Sequence, residues 1–326
     1  MNETISNKKL FSQIGLRLFI GTLIIFAVQL IFGAIAGNIP AVATSGDLSV
    51  LVSMLPMYII AFPIIFLLFK NIPVQISGEK KKMSVKHLIV AFIMCYAGTY
   101  ICNLLASILT GIIGALKQSD VENVMANLTS SISLPVNLFI VVICAPIMEE
   151  LLFRKTLIDR TAHFGEGISI LFSGLVFGLF HGNLVQFGYA FLLGVFFGFI
   201  YIKTKNIVYP IILHMVINFF GSFLGSIIME KSGFYNLPAD ATESEMMEFM
   251  MENAGGMMIY FGYALAIIIL VIVGIVLFVK NRKKFVCAPG EVTIEKGTRF
   301  KTMILNVGMI LYCIFWIVMI VMQLFQ

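Results

Sequence analysis

The chain has 326 residues, 60% of them apolar and 12% charged, with a mean hydropathy of +1.00. So much apolar surface beneath so little charge excludes a water-soluble domain and places the protein in a bilayer. The net charge of +5 invites a nucleic-acid reading, but the Lys and Arg pattern accounts for it as membrane orientation, with no nucleic-acid partner.

Mostly apolar runs lie at about 15–37, 49–69, 87–116, 134–153, 168–181, 184–202, 207–229, 257–279 and 303–325. Each can span or nearly span ~30 Å of hydrocarbon as a helix, the fifth being the shortest. The first run is longer than a signal-peptide core and lacks a small-residue cleavage site, so it reads as an uncleaved anchor. The expected fold class is all-α: a polytopic helical membrane protein of about eight or nine transmembrane helices. With the N-terminus cytoplasmic and every run crossing, all Lys and Arg except Lys117 and Lys231 fall on the inside. The expected setting is an integral membrane protein, and the composition suggests a bacterial plasma membrane.

Between the runs, 117–133 is polar and reads as external. Residues 230–256 form a longer external connection, acidic and Met-rich, which reads equally as an interfacial amphipathic helix or a solvated loop. In the stretch 280–301, a turn signal at Ala288-Pro289-Gly290 and alternation through Glu291–Glu295 suggest a small hairpin. Cys95, Cys102, Cys144 and Cys313 lie in apolar runs and Cys287 in a basic loop, without CxxC spacing, so neither a disulfide framework nor a structural zinc site is indicated.

Ionisable residues inside membrane segments cost ~2.5–3.5 kcal/mol each on insertion scales, which makes each one a functional candidate. They concentrate in one region: Pro146-Ile147-Met148-Glu149-Glu150-Leu151-Leu152-Phe153-Arg154 in the fourth run, Phe177–His181 in the fifth and His214–Asn218 in the seventh. Glu150 and Arg154 are four apart and suit an ion pair, whereas Glu149 points ~100° away from Glu150. Glu149, without a charge partner, suits a general base acting on water. Pro146 removes a backbone donor and can kink the helix beside it. His214 and Asn218, also four apart, present a pair of donors suited to an oxyanion. Gly174, Gly178 and Gly182 let helix backbones approach closely, which would bring His181 toward Glu149.

If the fourth and fifth helices turn near Gly165, Glu149 and His181 sit level, each 16 residues from the turn. His214 matches that depth if 154–166 protrudes from the cytoplasmic face. His181 then lies short of the outer surface, and Gly182–Phe187 becomes a connection buried within the membrane, lining a protein-walled cavity.

The order E-E-x-x-x-R, F-x-x-x-H, H-x-x-x-N across successive helices resembles the family of type II CAAX prenyl proteases and bacteriocin-processing enzymes, also called the Abi or CPBP family. The resemblance covers roughly 134–221. It implies an intramembrane glutamic endopeptidase, with Glu149 activating water with help from His181. His214 and Asn218 stabilise the oxyanion, and Glu150 and Arg154 support the site. On this reading 1–133 supplies about three N-terminal helices, 134–229 a catalytic helical core around a cytoplasm-facing cavity, and 230–326 the external connection plus two C-terminal helices. The substrate is a peptide or lipidated peptide, with membrane lipids as the surroundings; in a bacterium, bacteriocin, pheromone or other membrane-peptide processing, or self-immunity, fits best.

No cofactor is required. A zinc site on Glu149, His181 and His214 is the chemical alternative, weakened because H-E-x-x-H is missing and Arg154 occupies Glu150, the remaining carboxylate. Ser169, Ser173 and Ser222 lack a nucleophile context. A non-catalytic scaffold or peptide-immunity protein using the same cavity is the alternative class. A transporter is weakened because no inverted repeat is visible.

Overall fold

The computed structural model describes the backbone of residues 2–6 and complete residues 7–76, 78–233 and 241–325. The principal helices are α1 (Asn7–Gly37), α2 (Gly46–Leu68), α3 (Val85–Lys117), α4 (Leu134–Phe164), a short α5 (Glu166–Phe180), α6 (Leu184–Thr204), α7 (Val208–Ser232), α8 (Ala254–Lys284) and α9 (Val307–Leu324). All except α5 are long and apolar enough to cross a membrane, so the eight candidate spans agree with an all-α polytopic fold. Among the described residues there is no β-strand.

At 15 residues, α5 reaches only ~22 Å, short of the ~30 Å core. Its chain turns back inside the bundle through His181, Gly182 and Asn183. The expected buried connection is therefore present but shorter than Gly182–Phe187, because α6 already begins at Leu184. Asn183 stops it there: its side chain accepts from Gln186 N at 2.8 Å and caps α6. Gly182 has φ +65°, and a Cβ there would stand 2.9 Å from the Trp316 ring of α9. Only glycine suits both constraints.

The close approach expected from the α5 glycines is real, but its partner is α6 rather than the Glu149 helix. A Cβ on Gly194 would lie 2.7 Å from Gly174 Cα, and one on Gly174 would meet Val195 N at 3.1 Å and Phe191 O at 3.3 Å. Since backbone cannot swing aside, Gly174→Val is expected to destabilise the protein by about 1–3 kcal/mol. Thermal unfolding in detergent tests this; an unchanged melting temperature would mean the two helices have slack between them.

The basic residues gather at one end of the bundle. There Arg17 Nε donates to Leu68 O at 2.8 Å, Arg160 Nη2 to Phe69 O at 3.0 Å and Lys81 N to Thr204 O at 2.7 Å, and Lys203 pairs with Glu166. At the opposite end, Lys117 Nζ donates to Leu324 O at 2.6 Å and Ser133 N to Asp47 Oδ1 at 2.6 Å.

One connection differs from expectation, and in another one of two open readings is met. Residues 285–295 form no hairpin: Glu166 N donates to Ala288 O at 3.1 Å and Val292 N to His163 O at 3.0 Å, so the segment pairs along the α4–α5 turn. That turn, opened by Gly165, exposes backbone groups that the alternating segment satisfies, which a self-paired hairpin would leave open. In the connection 230–256, Glu243–Glu252 is helical, with a capping box between Thr242 and Glu245. Residues 234–240 lie outside the described residues.

Candidate active site

α4 carries both glutamates on a short α-helical stretch, Ala145–Glu150, between two wider π-helical stretches, Leu138–Cys144 and Leu151–Ile158. Such stretches in a helix often mark functional sites. Pro146 acts here through its missing donor. Ala145 N donates five residues back to Ile140 O. The next bond in that register would run from residue 146 to Val141 O, and proline cannot make it. Asn218 Nδ2 of α7 takes that carbonyl instead, at 2.9 Å.

Glu150 and Arg154 are both fully buried, with Arg154 Nε 2.9 Å from Glu150 Oε2. The predicted pair thus forms, but Glu150 has a second partner: His214 Nδ1 lies 2.9 Å from Glu150 Oε1. A carboxylate only accepts, so Nδ1 carries the proton and Nε2 is turned away from Glu150, toward Glu149 Oε2 at 3.7 Å. His214 therefore stands between the two glutamates. The Arg154 guanidinium lies over the Phe177 ring, 4.2 Å from its centroid, with Phe197 at 5.6 Å. These two rings partly replace the hydrogen-bond partners that Nε and both Nη groups lack among the described residues.

His181, at the end of α5, places Nδ1 2.9 Å from Phe177 O. A carbonyl also only accepts, which puts the proton on Nδ1 and, in the neutral ring, leaves a lone pair on Nε2. Phe177 stacks edge-on against His181 and His214, at 4.8 and 5.9 Å between centroids, and so spaces the two imidazoles as well as supporting Arg154. The expected His214–Asn218 donor pair is modified: one arm of the Asn218 amide is already spent on Val141.

Three supporting side chains escaped sequence reasoning. Asn183 Nδ2 donates to His181 O at 3.0 Å and to Gln186 Oε1 at 2.5 Å, and Gln186 Nε2 donates to Tyr189 OH at 2.8 Å. The signal was present: Asn183 and Gln186 are three apart, a capping-box spacing. Asn183→Ala is expected to cost about 1 kcal/mol as a lost cap. It should also lower peptidase turnover more than that loss of folded protein explains, because the His181 backbone loses its tether. Comparing melting temperature with turnover per folded molecule separates the two effects.

The serines are otherwise engaged. Ser169 and Ser173 hydroxyls donate to Gly165 O and Phe153 O, and Ser222 donates to Asn137 Oδ1. No three His, Cys, Asp or Glu side chains among the described residues are grouped to hold a metal ion.

Glu149, His181, His214 and Asn218 line one cavity of about 310 Å³, together with Met125, Tyr58 and Trp316. From α4 it takes Ile140, Val141, Ala145 and Glu149, the half of the helix that leads toward the 118–133 connection. The cavity therefore faces the end of the bundle poor in Lys and Arg. At the basic end, 285–295 and the Arg160 and Lys203 contacts tie the ends of α2, α4, α5 and α6 together.

The comparisons with known proteins place this bundle in the class of membrane proteases. Residues 131–220 match the family model of the type II CAAX prenyl endopeptidase, Rce1-like. The chain is 30% identical over 200 residues to the membrane-embedded CAAX protease MroQ of Staphylococcus aureus, covering 57% of this chain and 79% of the relative. It is 28% identical over 173 residues to YdiL of Bacillus subtilis, whose name marks it as a candidate membrane peptidase, covering 50% of this chain and 67% of the relative. No solved structure matches the chain. The chain belongs to the CAAX protease (CPBP) family of membrane peptidases.

Proposed function

We propose that the protein is a glutamate-type intramembrane endopeptidase that hydrolyses a membrane-associated peptide. The carrying observation is the position of His214, bonded to Glu150 on one nitrogen and turned to Glu149 on the other within a single cavity. Glu149 accepts a proton from water as the water oxygen bonds to the scissile carbonyl carbon. His181 Nε2, a lone-pair acceptor, holds the other water hydrogen. The negative charge developing on the carbonyl oxygen faces His214 Nε2, which donates when the ring is protonated, and the remaining Asn218 amide hydrogen. When the intermediate collapses, the C–N bond breaks and the proton on Glu149 passes to the departing amine. Glu150 and Arg154 hold His214 in place and touch no substrate.

The test is cleavage of an internally quenched membrane-peptide library by purified wild type and Glu149→Gln in detergent, with and without a chelator. Glu149-dependent cleavage unaffected by the chelator supports the reading. Loss of cleavage with the chelator would move the chemistry to zinc. A folded wild type that cleaves nothing would favour a scaffold or peptide-immunity role.

A further inference from the structure

A second cavity, of about 700 Å³, adjoins the catalytic one and shares Met125, Val141, Gln186, Tyr189 and Asn218 with it. Its lining is unusual for the interior of a membrane bundle. Amides and hydroxyls such as Asn103, Thr129, Ser222 and Ser226 recur, and among the described residues none of the lining is charged. Thr129 and Ser222 have partners of their own, Met125 O and Asn137 Oδ1, but Asn103 Oδ1 is buried with no hydrogen-bond partner among the described residues, and such a group at membrane depth persists only where water or a ligand satisfies it. At its far end the cavity is lined by the exposed Asn123, Asn127 and Ser130 of the 118–133 connection.

One face of α7 forms the wall. Asn218, Gly221, Ser222 and Gly225 follow at helical spacing, and an added Cβ on either glycine would meet nothing within 4 Å. The glycines do not serve helix packing; they leave room. Uncharged donors and acceptors along an open trough complement an extended peptide backbone, which carries one donor and one acceptor per residue and no charge.

We propose that this cavity is the binding subsite for one arm of an extended peptide substrate, entered from the end of the bundle poor in Lys and Arg. By the positive-inside rule that end is extracytoplasmic. This deepens the peptidase reading and rests on it for the nature of the ligand, but not for the sidedness.

Two measurements test it. In intact cells producing the full chain, a membrane-impermeant maleimide is expected to label Asn127→Cys in a Cys287→Ser background, whereas native Cys287, exposed at the basic end, should label only after permeabilisation. The reverse pattern would overturn the assigned mouth. In the cleavage assay, Gly225→Leu projects a side chain into the trough from a position where an added Cβ meets nothing within 4 Å. It is expected to raise KM about tenfold for extended peptides, leaving kcat and the cleavage of peptides trimmed to the scissile region unchanged. An unchanged KM, or an equal loss on long and trimmed peptides as expected of a mere water path, would overturn the subsite. If the wild type cleaves nothing, the peptidase reading fails while the labelling still decides the mouth.

Discussion

Glu149→Gln is expected to lower kcat by roughly 10²–10⁴-fold, the usual contribution of a positioned general base, while the protein stays folded. The amide has the shape of the carboxylate and keeps its place in the cavity, but it cannot take a proton from water. Its neighbour at 3.7 Å, His214 Nε2, retains its anchor on Glu150, so the rest of the site is undisturbed. kcat and KM should therefore separate, with KM changing little. Wild-type turnover by Glu149→Gln, with melting temperature confirming the fold, would remove Glu149 from the chemistry.

The second large effect concerns stability. Arg154 and Glu150 are fully buried and form an ion pair, Nε 2.9 Å from Oε2. Arg154→Leu leaves a buried carboxylate facing only His214 and is expected to cost about 3–5 kcal/mol, the range for breaking a buried pair from one side. The double variant Glu150→Leu/Arg154→Leu removes both charges and should regain much of that loss, because apolar replacements of buried pairs are often neutral. The recovery should be incomplete, since His214 Nδ1 then lacks its acceptor, at about 1–3 kcal/mol. Activity should stay lost in both variants, because His214 is no longer oriented. Equal instability of the single and double variants would show that the two residues do not act as a pair.

Most of the architecture was legible because apolar length is a local property: the run expected at 184–202 is α6, and that at 207–229 is α7. The Glu150–Arg154 pair was legible for the same reason, being one helical turn apart. The Glu150–His214 bond was not, since it joins residues 64 apart in sequence and helical angle cannot say which of two adjacent glutamates a distant helix will meet. Asn218 looked like a free donor because its partner, Val141 O, is a backbone group that helix geometry normally consumes. Only the conjunction of a wide turn with Pro146 releases it. The packing of 285–295 on the α4–α5 turn was not legible either, because its contacts carry no periodic signature.

The meeting of α9 with α5 bears on how the protein comes into being. Tyr312 OH donates to Val176 O at 2.8 Å, Trp316 lines the cavity that holds Glu149, and its ring lies over Gly182 at the turn that carries His181. Gly308 of α9 also lies against Ser12 of α1 so closely that a Cβ would stand 1.9 Å from Ser12 O. Both glutamates and both histidines emerge from the ribosome well before these residues do. During synthesis the helices that carry Glu149, His181 and His214 thus precede one wall of their pocket, which α9 supplies when it arrives.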